Sequence, residues 1–269
     1  MAKKDNIFDL ALQLLKVFAV GACCSLFLGA CSLEKYQQTG SDYIDLDQDA
    51  SRADLELGSL GAEINVTGGL IRGLVSDTKT NSLKQYHGIP FAAPPIGKLR
   101  WAPPAPVIPW QGSLDATKHG DYCMQPETTG IGIYIRQRSN PSEDCLTINV
   151  WTRADSVDER SPVMFWIHGG ALQGGAGFER SGEALTKKGV VLVTFNYRLG
   201  RLGFFSHPEL SAENANGVSG NQGFRDQIAA LHWVQENITK FGGNPNNVTI
   251  FGESAGAVSY THLTLPTTD

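Results

Sequence analysis

The sequence predicts an α/β fold in which a mostly parallel central sheet is flanked by helices. Three continuous apolar runs, at 163–167, 190–195 and 247–251, lack polar alternation and therefore fit strands covered on both faces. A helical pattern at about 224–240 lies between the second and third runs, and Gly242 is expected to stop it. Its expected buried face comprises Ile228, Leu231, Val234 and Ile238. The order strand, helix, strand is typical of α/β proteins.

Composition excludes several classes of protein. The 269 residues include 22 Lys and Arg against 27 Asp and Glu, and no basic cluster is present, so no nucleic-acid partner is expected. Hydrophobic residues make up 41% of the chain, which is enough to build a core. Closely spaced prolines and glycines at 88–110 predict extended surface chain, neither helix nor central strand.

The N-terminus has the pattern of an export signal. Three lysines occur within the first 16 residues, and an uncharged run of 14 residues follows at 17–30. A bilayer span takes about 20 apolar residues, so residues 1–30 are interpreted as a signal peptide. The run ends Leu28-Gly-Ala-Cys31, which resembles the bacterial lipoprotein box. We therefore expect export to the bacterial cell envelope, with a lipid on Cys31 anchoring the protein in a membrane; the alternative is an ordinary signal with a chance cysteine.

Residues 31–62 are predicted to form a flexible, acidic tether. Seven acidic residues and two basic ones occur there, without a sustained apolar period. An acidic binding tail is the alternative. If the chain is cleaved before Cys31 and that cysteine carries lipid, two thiols remain, at Cys123 and Cys145, an even number in an oxidising compartment.

The strongest chemical signal is Gly252-Glu253-Ser254-Ala255-Gly256, which directly follows the third apolar run. Glycines two residues before and after a serine allow a sharp strand-to-helix turn that exposes the hydroxyl, so Ser254 is the candidate nucleophile. The alternative is a glycine-rich helix N-cap.

A second glycine motif, His168-Gly169-Gly170-Ala171, directly follows the first apolar run. Backbone N–H groups on such a loop can stabilise an oxyanion. A phosphate-binding loop is the rival, but no Gly-Lys-Ser/Thr and no GxGxxG pattern is present, so no cofactor is expected. His168 is expected to shape this loop, because the catalytic histidine follows the serine in such enzymes. No metal is expected, since HExxH and paired CxxC motifs are both missing.

Together these motifs resemble the type-B carboxylesterase family, the cholinesterase-like branch of the α/β-hydrolase fold. The resemblance rests on seven stretches in the family's order: 87–91, 94–95, 99–100, 143–150, 196–200, 241–245 and 248–256. It implies hydrolysis of a small-molecule ester through an acyl-enzyme on Ser254. It also implies that Gly170, Ala171 and Ala255 supply the oxyanion N–H groups and that Cys123 and Cys145 form the family's first disulfide.

The chain departs from the family pattern after Ala257. The triad should continue with Asp or Glu and then His, but Asp269 follows His262, so the triad acid and histidine are expected to lie outside this chain. Residues 63–257 are therefore interpreted as the N-terminal part of the catalytic domain, with only that half of the fold present. Residues 258–269 back-translate to a transposase sequencing adapter and are interpreted as a non-native tail; the alternative is a divergent helix that Pro266 cuts short.

The leading hypothesis is thus a lipoprotein esterase, represented here by an inactive fragment. A non-catalytic, cholinesterase-like adhesion or binding protein is the main alternative. A cofactor-using α/β protein is a third possibility, which the failed glycine-loop match disfavours.

Overall fold

The computed structural model describes residues 63–76, 82–126, 128–129, 136–137 and 141–264. All of these belong to one compact unit, Asp54–Asp269. The predicted signal peptide, Cys31, the tether 31–62 and residues 265–269 lie outside the described residues. None of the helices within the described ranges combines the length and hydrophobicity needed to cross a bilayer.

Most of the short strands lie in the first half of the described chain, and the α-helices lie in the second half. The strands are β1 (Ile64–Val66), β2 (Gly69–Arg72), β3 (Leu74–Val75), β4 (Lys84–Pro90), β5 (Ser113–Asp115), β6 (Tyr122–Cys123), β7 (Thr128–Thr129), β8 (Arg136–Gln137), β9 (Pro141–Ser142), β10 (Thr147–Thr152), β11 (Ser161–Ile167), β12 (Val191–Phe195) and β13 (Gly243–Gly252). The α-helices are α1 (Glu183–Thr186), α2 (Gly200–Phe204), α3 (Pro208–Glu213), α4 (Gln222–Asn237) and α5 (Ala255–Thr264).

The central sheet has the strand order β13-β11-β12-β10-β4-β3. Among the described residues of this sheet, the parallel pairs are β11–β12 and β11–β13. The β12–β10, β10–β4 and β4–β3 pairs are antiparallel. The prediction of a mostly parallel sheet is therefore wrong for the described residues, where the sheet is mixed. Of the strands formed by the three apolar runs, β12 is buried throughout, β11 alternates between buried and half-buried residues, and β13 is mostly half-buried or exposed. β10, which is buried along most of its length, shows that an antiparallel strand can also be covered on both faces.

The prediction of surface chain at 88–110 is wrong at its beginning. Residues 88–90 belong to β4, which is an internal strand between β10 and β3. Pro90 is tolerated because it is the last residue of that strand, opposite Thr147 at the start of β10. Phe91, Ala92 and Ala93 are buried. A 3₁₀ turn follows at Gly97–Leu99, and residues 103–110 form neither helix nor strand.

Helix α4 confirms the predicted helix and its predicted face except at Ile228, since Leu231 is partly buried against the core. A 3₁₀ turn, Ile238–Phe241, extends it, and Gly242 ends it with a φ of 77°. Val234 and Ile238 are buried as expected, whereas Ile228 is 43% exposed. The buried face also includes polar residues, because Asp226 and Gln227 find hydrogen-bonding partners inside. Hydrophobic periodicity cannot detect the part of a face that is formed by buried polar pairs.

The core lies on both faces of the central strands, because successive side chains of a strand point to opposite sides. On one face, Val163, Phe165 and Ile167 of β11 pack with the alternate residues of β12 and β10. On the other face, Trp151 and Leu192 form a smaller cluster. Burying each such side chain contributes about 1.5–3 kcal/mol to the stability of the fold, so packing on both faces stabilises the central strands.

Candidate active site

Ser254 lies in a sharp turn between the last residue of β13 and the first residue of α5. The turn consists only of Glu253 and Ser254. Ser254 is exposed and has a φ of 53°, in the left-handed region that L-residues disfavour. The peptide N–H of Gly256 donates to the Glu253 carbonyl at 2.8 Å, and Val258 N donates to the Ser254 carbonyl at 3.1 Å. The predicted strand, serine turn and helix are thus present, and the turn holds the hydroxyl outside the sheet.

The glycines on either side of Ser254 are required by close backbone contacts. A Cβ at Gly256 would collide with the carbonyl oxygen of Ile167 at the end of β11. A Cβ at Gly252 would lie 2.6 Å from the carbonyl carbon of Gly256 and 2.8 Å from the same Ile167 oxygen. Real Cβ atoms essentially never make contacts this short, so the turn can approach β11 only with glycine at both positions.

The second glycine motif lies directly beside this turn. Strands β11 and β13 run parallel with Ile167 opposite Gly252, so the segments that leave them, which begin at His168 and Glu253, start side by side. A Cβ at Gly169 would lie 3.2 Å from Ser254 Cβ and 2.7 Å from the Glu253 carbonyl oxygen. The two motifs that the sequence singled out therefore share one site at the carboxyl ends of two parallel strands.

The loop after β11, which we call the glycine loop (168–175), has an unusual backbone. Gly170, Ala171 and Leu172 have φ values of 100°, 56° and 59°. The N–H groups of Gln173 and Gly174 donate to the Gly170 carbonyl at 3.0 and 3.1 Å, which closes a left-handed turn. Within the described residues, the N–H groups of Gly170, Ala171 and Ala255 donate no hydrogen bond to protein acceptors. Three backbone donors are therefore available beside Ser254.

His168 lies within the glycine loop as a buried residue. Its Nδ1 is 2.8 Å from the Gly169 carbonyl oxygen, and its ring stacks on Tyr197 with 4.3 Å between centroids. The Tyr197 hydroxyl donates to the His168 carbonyl at 2.8 Å, and burial raises the pKa of Tyr197 above its ordinary value. These contacts agree with the expectation that His168 shapes the loop. Tyr197 was not singled out as a site residue by sequence reasoning, although it belongs to the recognised stretch 196–200.

Ser254 is exposed to solvent and lies next to a charged residue in the chain. Glu253 forms a 3.5 Å ion pair with Arg180, and both side chains are about half exposed. Within the described ranges, Ser254 Oγ makes no hydrogen bond. His262 lies roughly two turns further along α5, where its Nδ1 is 2.9 Å from the carbonyl oxygen of Val258. The described part of the chain therefore presents a candidate nucleophile and backbone N–H groups without a base in contact with the serine, and no cluster of three metal-ligating side chains occurs within it.

The structure confirms the disulfide between Cys123 and Cys145. Both cysteines are buried, with their Cα atoms 5.0 Å apart and 22 residues apart in sequence. In the chain-entropy model, a loop of this size adds about 3 kcal/mol of stability by restricting the unfolded chain.

Helix α5 continues beyond the point at which the family pattern was predicted to stop. It ends at Thr264, two residues before Pro266, as expected for a helix that meets a proline. Ser259 is buried within it and donates to the Ala255 carbonyl at 2.9 Å. Gln227 of α4 donates to the Ser259 hydroxyl at 3.3 Å. The origin of residues 258–269 stays a prediction, because a helix here is compatible with either source.

A serine turn beside a glycine loop, at the end of a sheet flanked by helices, defines the class as an α/β protein with a candidate serine-hydrolase site. The Carboxylesterase family model matches residues 61–268, and the chain belongs to this family. It is 49% identical over 191 residues to the fumonisin B1 esterase of Sphingopyxis macrogoltabida, covering 70% of this chain and 34% of that protein. It is 45% identical over 194 residues to the para-nitrobenzyl esterase of Bacillus subtilis, covering 71% and 38% respectively.

Solved structures of carboxylesterases support the same family assignment. A carboxylesterase of Geobacillus stearothermophilus superimposes with a TM-score of 0.65 at 41% identity, covering 77% of this chain and 41% of that one. The juvenile hormone esterase of Manduca sexta gives a TM-score of 0.64 at 36% identity, covering 74% and 37%. The chain spans roughly a third of the length of the curated relatives it matches (34% and 38% for the two named above).

Proposed function

We propose that the complete protein is a carboxylic-ester hydrolase in which Ser254 is the acylated nucleophile. The observation that carries the proposal is the contact between the serine turn and the glycine loop, where Gly169 approaches Ser254 so closely that no side chain fits between them. This places an exposed hydroxyl beside backbone donors, which is the arrangement that acyl transfer requires. Family membership supports the same reaction class.

The oxyanion of the tetrahedral intermediate is assigned to the N–H groups of Gly170, Ala171 and Ala255. Ala255 is the first residue of α5, so its N–H has no partner within the helix and points toward the turn from the positive end of the helix dipole. Donors of this kind stabilise charge that develops only in the transition state, and removing one donor typically lowers kcat by a factor of about 10²–10³.

The reaction proceeds in two steps. A base removes the proton from Ser254 Oγ while that oxygen attacks the ester carbonyl carbon, and the alcohol then leaves with a proton to form the acyl-enzyme. Water attacks the acyl-enzyme by the same route and releases the carboxylic acid. The base and its carboxylate are assigned to residues outside this sequence, because Asp269 and His262 stand in the wrong order after Ser254.

The proposal is tested on the complete protein with an organophosphonate probe and a simple ester. The parent should be labelled at Ser254 and should hydrolyse the ester, whereas Ser254→Ala should do neither. Ser206→Ala is the matched control, since Ser206 is also an exposed serine but lies outside the candidate site. Equal labelling of parent and Ser254→Ala would place the nucleophile elsewhere. A correctly folded parent that neither labels nor hydrolyses esters would favour the non-catalytic binding protein.

A further inference from the structure

The glycine loop needs support from outside itself. Ala171 and Leu172 adopt left-handed φ values, and Gly175, at the other end of the loop, has a φ of 112°. Non-glycine residues persist in this region only where the surrounding structure over-determines them. The carbonyl of Leu172 accepts a hydrogen bond from Gly200 N at 2.7 Å, and Tyr197 holds His168. Both of these supports come from the segment after β12.

A third support comes from the segment that follows Cys123. The side-chain carboxamide of Gln125 pairs with the backbone of Gly175 in both directions. Its Nε2 donates to the Gly175 carbonyl at 3.0 Å, and its Oε1 accepts from Gly175 N at 2.8 Å. The same Nε2 also donates to the Cys123 carbonyl at 3.0 Å, so both amide protons are used. Gln125 thus pairs with Gly175 as a neighbouring strand would.

The position of Gly175 is coupled to that of the oxyanion donors by close packing. A Cβ at Gly175 would collide with His168 Nδ1, and a Cβ at Gly170 would collide with the Gly174 carbonyl oxygen. Gly174 N also donates to the Gly170 carbonyl at 3.1 Å. With no free space between the two ends of the loop, a shift of Gly175 must move Gly170 as well.

We propose that Gln125 is a positioning residue that holds the glycine loop in the conformation in which Gly170 and Ala171 bind the oxyanion. The inference rests on the proposed function, which assigns the oxyanion to these N–H groups. The disulfide gives Gln125 a fixed base, because Cys123 is tied to Cys145 and its carbonyl accepts from the same carboxamide.

Only a carboxamide satisfies this geometry. The site presents two carbonyl acceptors and one N–H donor to the Gln125 side chain. An ionised glutamate of the same shape offers no proton and would face both carbonyl oxygens with a negative charge. Gln125→Glu therefore keeps the size of the side chain and the acceptor for Gly175 N but removes both donated hydrogen bonds, and Gln125→Ala removes all three.

The test compares these two variants with Gln222→Ala in the complete protein. Gln222 is the matched control because its Nε2 also donates to a backbone carbonyl, that of Trp101 at 2.6 Å, at the start of α4 and outside the glycine loop. Steady-state kcat and KM for a simple ester are measured, together with the inhibition constant of a trifluoromethyl ketone, which forms an adduct that resembles the tetrahedral intermediate.

Both Gln125 variants should lose about 10- to 100-fold in kcat with KM changed by less than about threefold, because displaced donors weaken transition-state binding selectively. The inhibition constant of the ketone should rise by the same factor, while Gln222→Ala keeps parental values. Parental kcat and ketone affinity in either Gln125 variant would overturn the proposal. So would failure of both variants to fold, which would make the role of Gln125 purely structural. Failure of the proposed function is distinguishable, since Ser254→Ala would then remain active.

Discussion

Replacement of Asp226 by alanine should strongly destabilise the protein, because it leaves a buried guanidinium without its counter-ion. Asp226 and Arg198 are both almost completely buried. The Asp226 carboxylate accepts from Arg198 Nε at 2.8 Å, from Nη2 at 2.6 Å and from the backbone N–H of Arg198 at 3.0 Å. The remaining nitrogen, Nη1, donates to the carbonyls of Arg100 and Ala102 at 3.1 and 2.8 Å. The pair therefore joins α4 to the segment after β12 and to the proline-rich stretch.

The expected loss of stability follows from the buried charge of Arg198, which remains after Asp226 is replaced. Removal of one partner from a buried ion pair typically costs about 3–5 kcal/mol, since the other charge stays buried. The carbonyls around Nη1 offset part of that cost but cannot replace a carboxylate. By contrast, Lys84 and Asp155 form a 2.8 Å pair in which Asp155 is 71% exposed. Asp155→Ala should therefore cost less than about 1 kcal/mol.

Urea unfolding of the oxidised complete protein, followed by tryptophan fluorescence, measures both variants. We expect a clear fall in the unfolding midpoint for Asp226→Ala and almost none for Asp155→Ala. A double variant, Arg198→Met with Asp226→Leu, should recover much of the loss, because it removes the unpaired charge. The reasoning is refuted if Asp226→Ala is no more costly than Asp155→Ala, or if the double variant is less stable than Asp226→Ala.

Two further predictions concern acid stability and anchoring. Burial first, and His119 second, lower the pKa of His87 to about 3, so the folded protein binds fewer protons there than the unfolded chain, whose histidine titrates near 6.5. The contribution of His87 to the free energy of unfolding should therefore fall by about 1.4 kcal/mol per pH unit as the pH drops from 6.5 toward 3. The urea unfolding midpoint should depend less steeply on pH in His87→Phe than in the parent, and His207→Gln should not show this change. For the proposed lipid on Cys31, cell fractionation should find the parent in the membrane and Cys31→Ser released from it; equal membrane partition would contradict the anchor.

Sequence reasoning succeeded where a local steric requirement determines the residue. The strand before Ser254 and the sharp turn into a helix were predicted from two glycines and one apolar run, because only glycine permits the close approach to Ile167. The length of that helix was not predicted, since it continues to Thr264. The same reasoning located the glycine loop after β11. The disulfide was recovered through the family resemblance and is confirmed by the structure.

The errors arose where the outcome depends on partners distant in sequence. The direction of β10 and β4 in the sheet is decided by their pairing, and burial alone carries no information about it. The polar part of the inward face of α4, Asp226 and Gln227, pairs with Arg198 and Ser259, which lie outside that helix. Gln125 escaped notice because its partner, Gly175, is 50 residues away and contributes only backbone atoms.

The mixed sheet also explains why the candidate site lies where it does. The carboxyl ends of β11 and β13 meet at one edge because these two strands are parallel, with Ile167 opposite Gly252. If β13 ran antiparallel to β11, Ser254 would leave the sheet at the far end of β11, about 20 Å from the glycine loop, given a rise of about 3.3 Å per residue. The parallel pairs are the smaller part of the sheet, but they bring the serine turn, which holds the proposed nucleophile, beside the glycine loop. β11 is internal because β12 and β13 flank it, and the antiparallel strand β10 pairs with the other edge of β12, so that β12 is internal as well. Substitutions in β10 should therefore act on stability, whereas those at the ends of β11 and β13 should act directly on the reaction.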